Sequence, residues 1–177
     1  MPTIELKYGS TSIPFEYELS AFEILGGQLD LPPLSDIEIG EKLDSPIGTR
    51  PLEEIVGTGE SVLIVVPDAT RQTAAGQVVN LLVLHLIANG SQPSEITIIF
   101  ATGIHRKVSE AEKSEILTPF IAQRIKTLDH DPRDLAKLVR LGETTGGIPI
   151  ELNRALIESD HVVLVGGVSF HYFAGFT

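Results

Sequence analysis

Asp68, Arg71, His105, Arg106 and His171 are the side chains of this sequence best suited to chemistry. Each falls in a short polar loop directly after an apolar run. The loops are Asp68-Ala69-Thr70-Arg71, Thr102-Gly103-Ile104-His105-Arg106 and Ser169-Phe170-His171-Tyr172, and the runs before them are residues 62–66, 96–100 and 161–165. Continuous β-branched runs of this kind read as strands buried on both faces of a parallel sheet. Ligands bind such sheets beyond the carboxyl ends of the strands, so the five residues are expected on one rim. Imidazole, with an ordinary pKa near ~6.5, serves as either acid or base around neutral pH. A base on each side of a stereocentre is what a racemase or epimerase needs, because substrate must be attacked from both faces. A nearby arginine would grip a carboxylate in bidentate fashion.

The elements that must position these residues follow from the same pattern. A helix is predicted from about Thr73 to Asn89, with Val78, Val79, Leu82, Val83 and Leu86 at helical spacing and Gly90 as its stop. Ser109 and Glu112 form a capping box that opens a second, charged helix. A third strand is predicted near residues 125–128, a hairpin around Gly146-Gly147, and a short helix over residues 153–159. Strands alternating with helices predict an α/β fold, a mostly parallel, Rossmann-like sheet with helices on both faces. Residues 1–60 read as strands and turns, a small β-rich N-terminal segment of the same domain. It begins with a hairpin from Ile4-Glu5-Leu6-Lys7-Tyr8 to Ser12-Ile13-Pro14-Phe15-Glu16-Tyr17. Pro32-Pro33 and Pro46 are expected to leave its middle irregular, and Pro51 to start a short helix. Residues 61–177 form the α/β portion.

Composition narrows the partners. The net charge of −11 argues against nucleic acid and against an anionic membrane surface. The sequence has no cysteine, which fits a reducing compartment, and its start lacks the pattern of a signal peptide, so a cytoplasmic protein is expected. No dinucleotide fingerprint, Walker loop, nucleophile elbow or metalloprotease motif is present. A lone histidine is more often structural than catalytic. That reading holds for His85 in an apolar helix and for His161 at a strand start, and it is favoured for His130 before Pro132. The loop positions of His105 and His171 shift them toward function.

Three motifs together, Asp68-Ala69-Thr70-Arg71, Ala101-Thr102-Gly103-Ile104-His105-Arg106 and His171-Tyr172-Phe173-Ala174-Gly175-Phe176-Thr177, resemble those of the N-terminal domain of the nickel-dependent lactate racemase family. The spacing between them matches as well, and the resemblance covers roughly residues 60–177. It implies that His105 and His171 are the acid/base pair and that Arg71, with Asp68 in the same site, binds a 2-hydroxy acid substrate. It also implies a nickel-pincer nucleotide cofactor, with Thr70, Gly103 and Arg106 on the cofactor side. In the family, hydride leaves the substrate α-carbon for the cofactor while a histidine takes the hydroxyl proton, and its return to either face of the keto acid scrambles the centre. Two departures stand out. Gln72 replaces the family's usual proline, and the family's cofactor-anchoring lysine and nickel-binding histidine have no counterpart in these 177 residues. The chain stops in what reads as an aromatic loop. It is therefore expected to be the front part of a longer protein, inactive alone, binding no nickel tightly, and completed by a C-terminal domain. The competing reading is a non-catalytic module for a small anion or nucleotide, with Arg71 and Arg106 as anion ligands.

Overall fold

The structure, a computed structural model, describes residues 1–24, 32–71, 73–171 and 175–176, with the backbone alone for His171. The chain divides into two compact units, Met1–Pro33 and Leu34–Thr177. The first contains the expected hairpin, β1 (Thr3–Tyr8) antiparallel to β2 (Thr11–Glu16), turning at Gly9, whose φ of 61° favours glycine. Phe22 packs edge-on against Phe15 and Tyr17 within this unit.

The second unit is built on a four-stranded parallel sheet in the order β5 (Lys126–Asp129), β4 (Ile96–Ala101), β3 (Val62–Pro67), β8 (His161–Leu164). The runs at 62–66 and 96–100 become the two central strands, where burial on both faces leaves no polar side to present. The run at 161–165 departs from that expectation, because β8 lies at the edge of the described sheet and leaves Val162 and Leu164 exposed. Alternate residues divide the sheet. Val62, Ile64 and Val66 of β3 and Ile96, Ile98 and Phe100 of β4 pack with α2 (Ala75–Ala88) and with Leu117, Ile121 and Ile125 at α4 (Pro119–Arg124) into the main core. Val65 and Ile99 point to the other face, toward β7 (Pro149–Asn153) and α5 (Arg154–Glu158). The expected helices on both faces are present. β6 (Leu138–Glu143) pairs with β7 as the expected hairpin, and α3 (Glu110–Ile116) starts at the Ser109/Glu112 capping box.

One element departs from the reading of residues 1–60 as strands and turns. Residues Asp36–Asp44 form a helix, α1, whose buried Ile39 and half-buried Leu43 face the core. The signal was present: Ser35 caps the helix and Glu38 returns the bond to the Ser35 backbone, a full capping box. Pro32-Pro33 break the chain just upstream, so the helix begins directly after them at the Ser35 cap. Gln77 of α2 holds this entry by donating to Leu34 O and Asp36 Oδ1. Among the described residues no helix is long and apolar enough to cross a membrane.

α2 approaches α3 closely at Gly76, where an added Cβ would lie 2.6 Å from the backbone oxygen of Ile116. Alanine in a helix interior normally gains up to about 1 kcal/mol over glycine. Overpacking against a backbone atom costs about 1–3 kcal/mol, so the clash outweighs the propensity gain. Gly76→Ala is therefore expected to destabilise the protein by roughly 1 kcal/mol, read as a lower midpoint in urea at unchanged slope. A raised midpoint would show that α3 yields freely.

Candidate active site

The strand ends set the site. Pro67 at the end of β3 is in register with Ala101 at the end of β4, so the two loops that follow leave the sheet side by side. Beyond β3, Arg71 N–H donates to Asp68 O at 3.1 Å, closing a tight turn. Asp68 also bends its side chain into the turn, with Oδ1 accepting from Thr70 N at 3.0 Å and from Thr70 Oγ1 at 2.6 Å. Beyond β4, His105 N–H donates to Thr102 O at 2.9 Å around Gly103, whose φ of 54° is a conformation side chains resist. Thr102 is buried and anchors this turn by donating from Oγ1 to His130 O at 2.6 Å.

The two turns meet in one contact: His105 Nδ1 lies 2.6 Å from Asp68 Oδ2. The aspartate is buried and the imidazole about half exposed, with side-chain accessibilities of 5% and 47%. Burial pushes the Asp68 carboxyl up, but the Thr70 hydroxyl, His105 and the Thr70 backbone amide outweigh it and leave it below the usual aspartate value. An ionised Asp68 accepts only, so Nδ1 of His105 carries the ring proton and Nε2 is left with its lone pair. Such a dyad fixes the tautomer and stabilises the imidazolium that forms when Nε2 takes a proton.

Asp68, His105 and Arg71 line one cavity of about 390 Å³ with Pro67, Thr102 and Val165 among its walls. Among the described residues Arg71 has no carboxylate within 4.0 Å, so its guanidinium is available to an anion. Val165, just past the end of β8, brings the third loop to the same cavity. A Cβ on Gly167 would stand 3.0 Å from Thr73 Cγ2, so this loop runs directly against the segment after Arg71. His171 lies on β9 (Phe170–His171), paired with β10 (Gly175–Phe176). Its side chain, like Gln72 and residues 172–174, is outside the described residues.

Thr70 and Arg106 are engaged within the protein. Thr70 holds Asp68, and Arg106 forms a two-pronged pair with Glu112 at 2.8 and 2.6 Å while donating to Lys107 O. The bond from Arg106, with those from Ser109, holds the Glu112 carboxyl far below the usual range. A residue not singled out in the sequence completes the support. Asp129 ends β5, accepts from Val108 N at 3.0 Å and pairs with half-buried Lys113 at 3.1 Å. Burial lowers the Lys113 ammonium, but Asp129 and Glu110 more than compensate and raise it. Asp129 obeys the same strand-end rule as Asp68, and that was its available signal; its partner sixteen positions away was not legible. Among the described residues no three His, Cys, Asp or Glu side chains converge as a metal site.

A family model described as the lactate racemase N-terminal domain matches residues 8–177. The lactate racemase of Thermoanaerobacterium thermosaccharolyticum is 24% identical over 181 residues, spanning 100% of this chain and 42% of that protein. The lactate racemase of Lactiplantibacillus plantarum is 28% identical over 145 residues, 81% of this chain and 34% of that one. The solved structure of the T. thermosaccharolyticum apoprotein superposes with a TM-score of 0.79 at 25% identity, covering 99% of this chain and 41% of its own. The chain thus spans about two fifths or less of the relatives it matches.

Proposed function

Because the chain belongs to the lactate racemase N-terminal domain family, we propose that it forms the acid/base half of an enzyme that racemises or epimerises a 2-hydroxy acid. The observation that carries the reading is the His105–Asp68 dyad facing a cavity that also presents Arg71. Arg71 binds the substrate carboxylate through two N–H donors. His105 Nε2 takes the hydroxyl proton of one enantiomer, and His171, on the neighbouring loop, serves the other. Asp68 acts as a positioning residue, since one oxygen holds His105 and the other is held by Thr70.

The family resemblance brings a nickel-pincer nucleotide to this reading. Bound, that group supplies the hydride acceptor for the substrate α-carbon. The described residues fit the rim of such a site rather than the seat of its metal, because they contain no converging ligand set. Gly103, at the cavity wall without a side chain, leaves room for a close approach. Thr70 contributes from beneath through Asp68, and Arg106 can reach an anionic group only by exchanging its Glu112 pair. The remainder of the full-length protein, a C-terminal domain, would complete the site. Leu164 and Val168, both largely exposed beside the third loop, are consistent with a covering partner there.

The test is a chiral assay on cofactor-loaded full-length enzyme with several short 2-hydroxy acids and sugar acids. Racemisation is expected; its absence for all of them would leave the small-anion-binding module as the better account. In the same assay Arg71→Lys is expected mainly to raise KM with little change in kcat, because lysine loses the bidentate fork in ground and transition states alike. An unchanged KM would remove Arg71 from carboxylate binding.

A further inference from the structure

A second cavity, of about 290 Å³, adjoins the first and shares Ala101 and Gly103 with it. Its depth follows from strand geometry. Pro67 and Ala101 line the first cavity, and Val65 and Ile99, two residues earlier on the same strands and in register, line the second. Two residues of strand place the second cavity about 6–7 Å further down the same sheet face. Leu152 of β7 and Leu156 of α5 form its opposite wall.

The polar groups of this second cavity are fixed in a particular sense. Asn153 is buried and accepts from Ala155 N with Oδ1 at 3.0 Å, so its Nδ2 must be the atom 3.1 Å from His130 Nδ1. Nδ1 therefore accepts, and the ring hydrogen of His130 sits on Nε2. His130 is held on the backbone side as well, with N–H to Phe100 O at 3.0 Å and its carbonyl accepting from Thr102 Oγ1 at 2.6 Å. The Asn153 amide and two backbone bonds thus hold the His130 ring in place, and Glu151 is the carboxylate of the lining.

We propose that this cavity receives the substrate's side chain, and that the enzyme acts on 2-hydroxy acids bearing a bulky branched or aromatic apolar group and no second carboxylate. The inference rests on reading the first cavity as the site of the carboxylate and hydroxyl. With those groups at Arg71 and His105, a methyl does not span the step to Val65 and Ile99, whereas a side chain the size of leucine's does. Burial there removes apolar surface from water against four aliphatic walls. Glu151 repels a second carboxylate, and an acid carrying one would also lose its hydration among those walls.

Calorimetric titration of the full-length apoenzyme with 2-hydroxy-4-methylpentanoate, lactate and malate tests this. The branched acid is expected to bind at least tenfold more tightly than lactate, since each methylene in an apolar pocket contributes roughly 10–200-fold, and malate is expected to bind weakest. Leu156→Phe should collapse the branched-acid-to-lactate ratio by filling the cavity, and Glu151→Gln, at an exposed strand position, should narrow the gap between malate and lactate. Equal affinity of the wild type for the branched acid and lactate overturns the subsite, as does a ratio unmoved by Leu156→Phe. If Leu156→Phe does not fold, a malate affinity unchanged in Glu151→Gln overturns it. The chiral assay decides the racemase reading separately, because these titrations need neither cofactor nor turnover.

Discussion

Full-length, cofactor-loaded enzyme carrying His105→Ala is expected to interconvert 2-hydroxy acid enantiomers about 10²–10⁴ times more slowly than the wild type, the usual effect of removing a general base. The expectation comes from Nε2, the ring nitrogen that Asp68 leaves unengaged on a half-exposed imidazole that lines the cavity. His171→Ala is expected to lose as much, because a round trip between enantiomers uses each base once. His85→Ala and His161→Ala serve as controls. His85 pairs with Glu53 at 3.0 Å and His161 with Glu60 at 2.6 Å, and neither lines the cavity of the dyad. Their variants should turn over normally in whatever protein stays folded. If His105→Ala and His171→Ala both retain the wild-type rate, the acid/base assignment is wrong.

Asp68→Asn is expected to cost a comparable factor, about 10²–10⁴ in rate, although it changes almost no volume. Thr70 N–H is a donor only, so the side-chain atom facing it must remain an oxygen. The amide nitrogen is then forced onto the His105 side and donates to Nδ1. The ring proton moves to Nε2, where it occupies the lone pair the base needs. A merely structural role would not move this proton, so ¹⁵N NMR of the imidazole is the decisive reading. The wild type should show the protonated nitrogen at Nδ1 and the variant at Nε2; the same tautomer in both would refute the mechanism. The depressed Asp68 carboxyl also predicts a pH effect on stability. A group ionised more readily in the folded state stabilises it above the unfolded pKa of about 3.9 and loses that contribution as pH falls through the lower folded value. The acid-side fall in unfolding midpoint should accordingly be shallower in Asp68→Asn.

Local pattern accounts for much of what was legible. The runs at 62–66 and 96–100 became β3 and β4 because strands buried on both faces carry an unbroken apolar signal. The run at 161–165 carries the same signal and became β8, a strand at the edge of the described sheet with Leu164 exposed. The capping box at Ser109 and Glu112 marked α3 because the reciprocal bonds need only residues three apart. The same device at Ser35 and Glu38 opens α1, where Pro32-Pro33 just before it also signal an irregular chain. α2 starts at Ala75, two residues after the predicted Thr73, because Arg71 and Thr73 are still held in turn bonds before it.

The sequence by itself determined the elements, the polar loops at strand ends, and the residue types able to handle a proton and a carboxylate. It could do so because caps, turns and burial periodicity are short-range. It placed Asp68, Arg71 and His105 at strand ends, but not in mutual contact. Only the tertiary structure decided that Asp68 spends one oxygen on Thr70 and the other on His105, thirty-seven positions away. That contact depends on the register of Pro67 with Ala101, a parallel pairing across the whole of α2 that no local pattern encodes. The same holds for Lys113 against Asp129 and for Asn153 against His130. Each joins separate elements, and its geometry exists only once the sheet has brought their ends together.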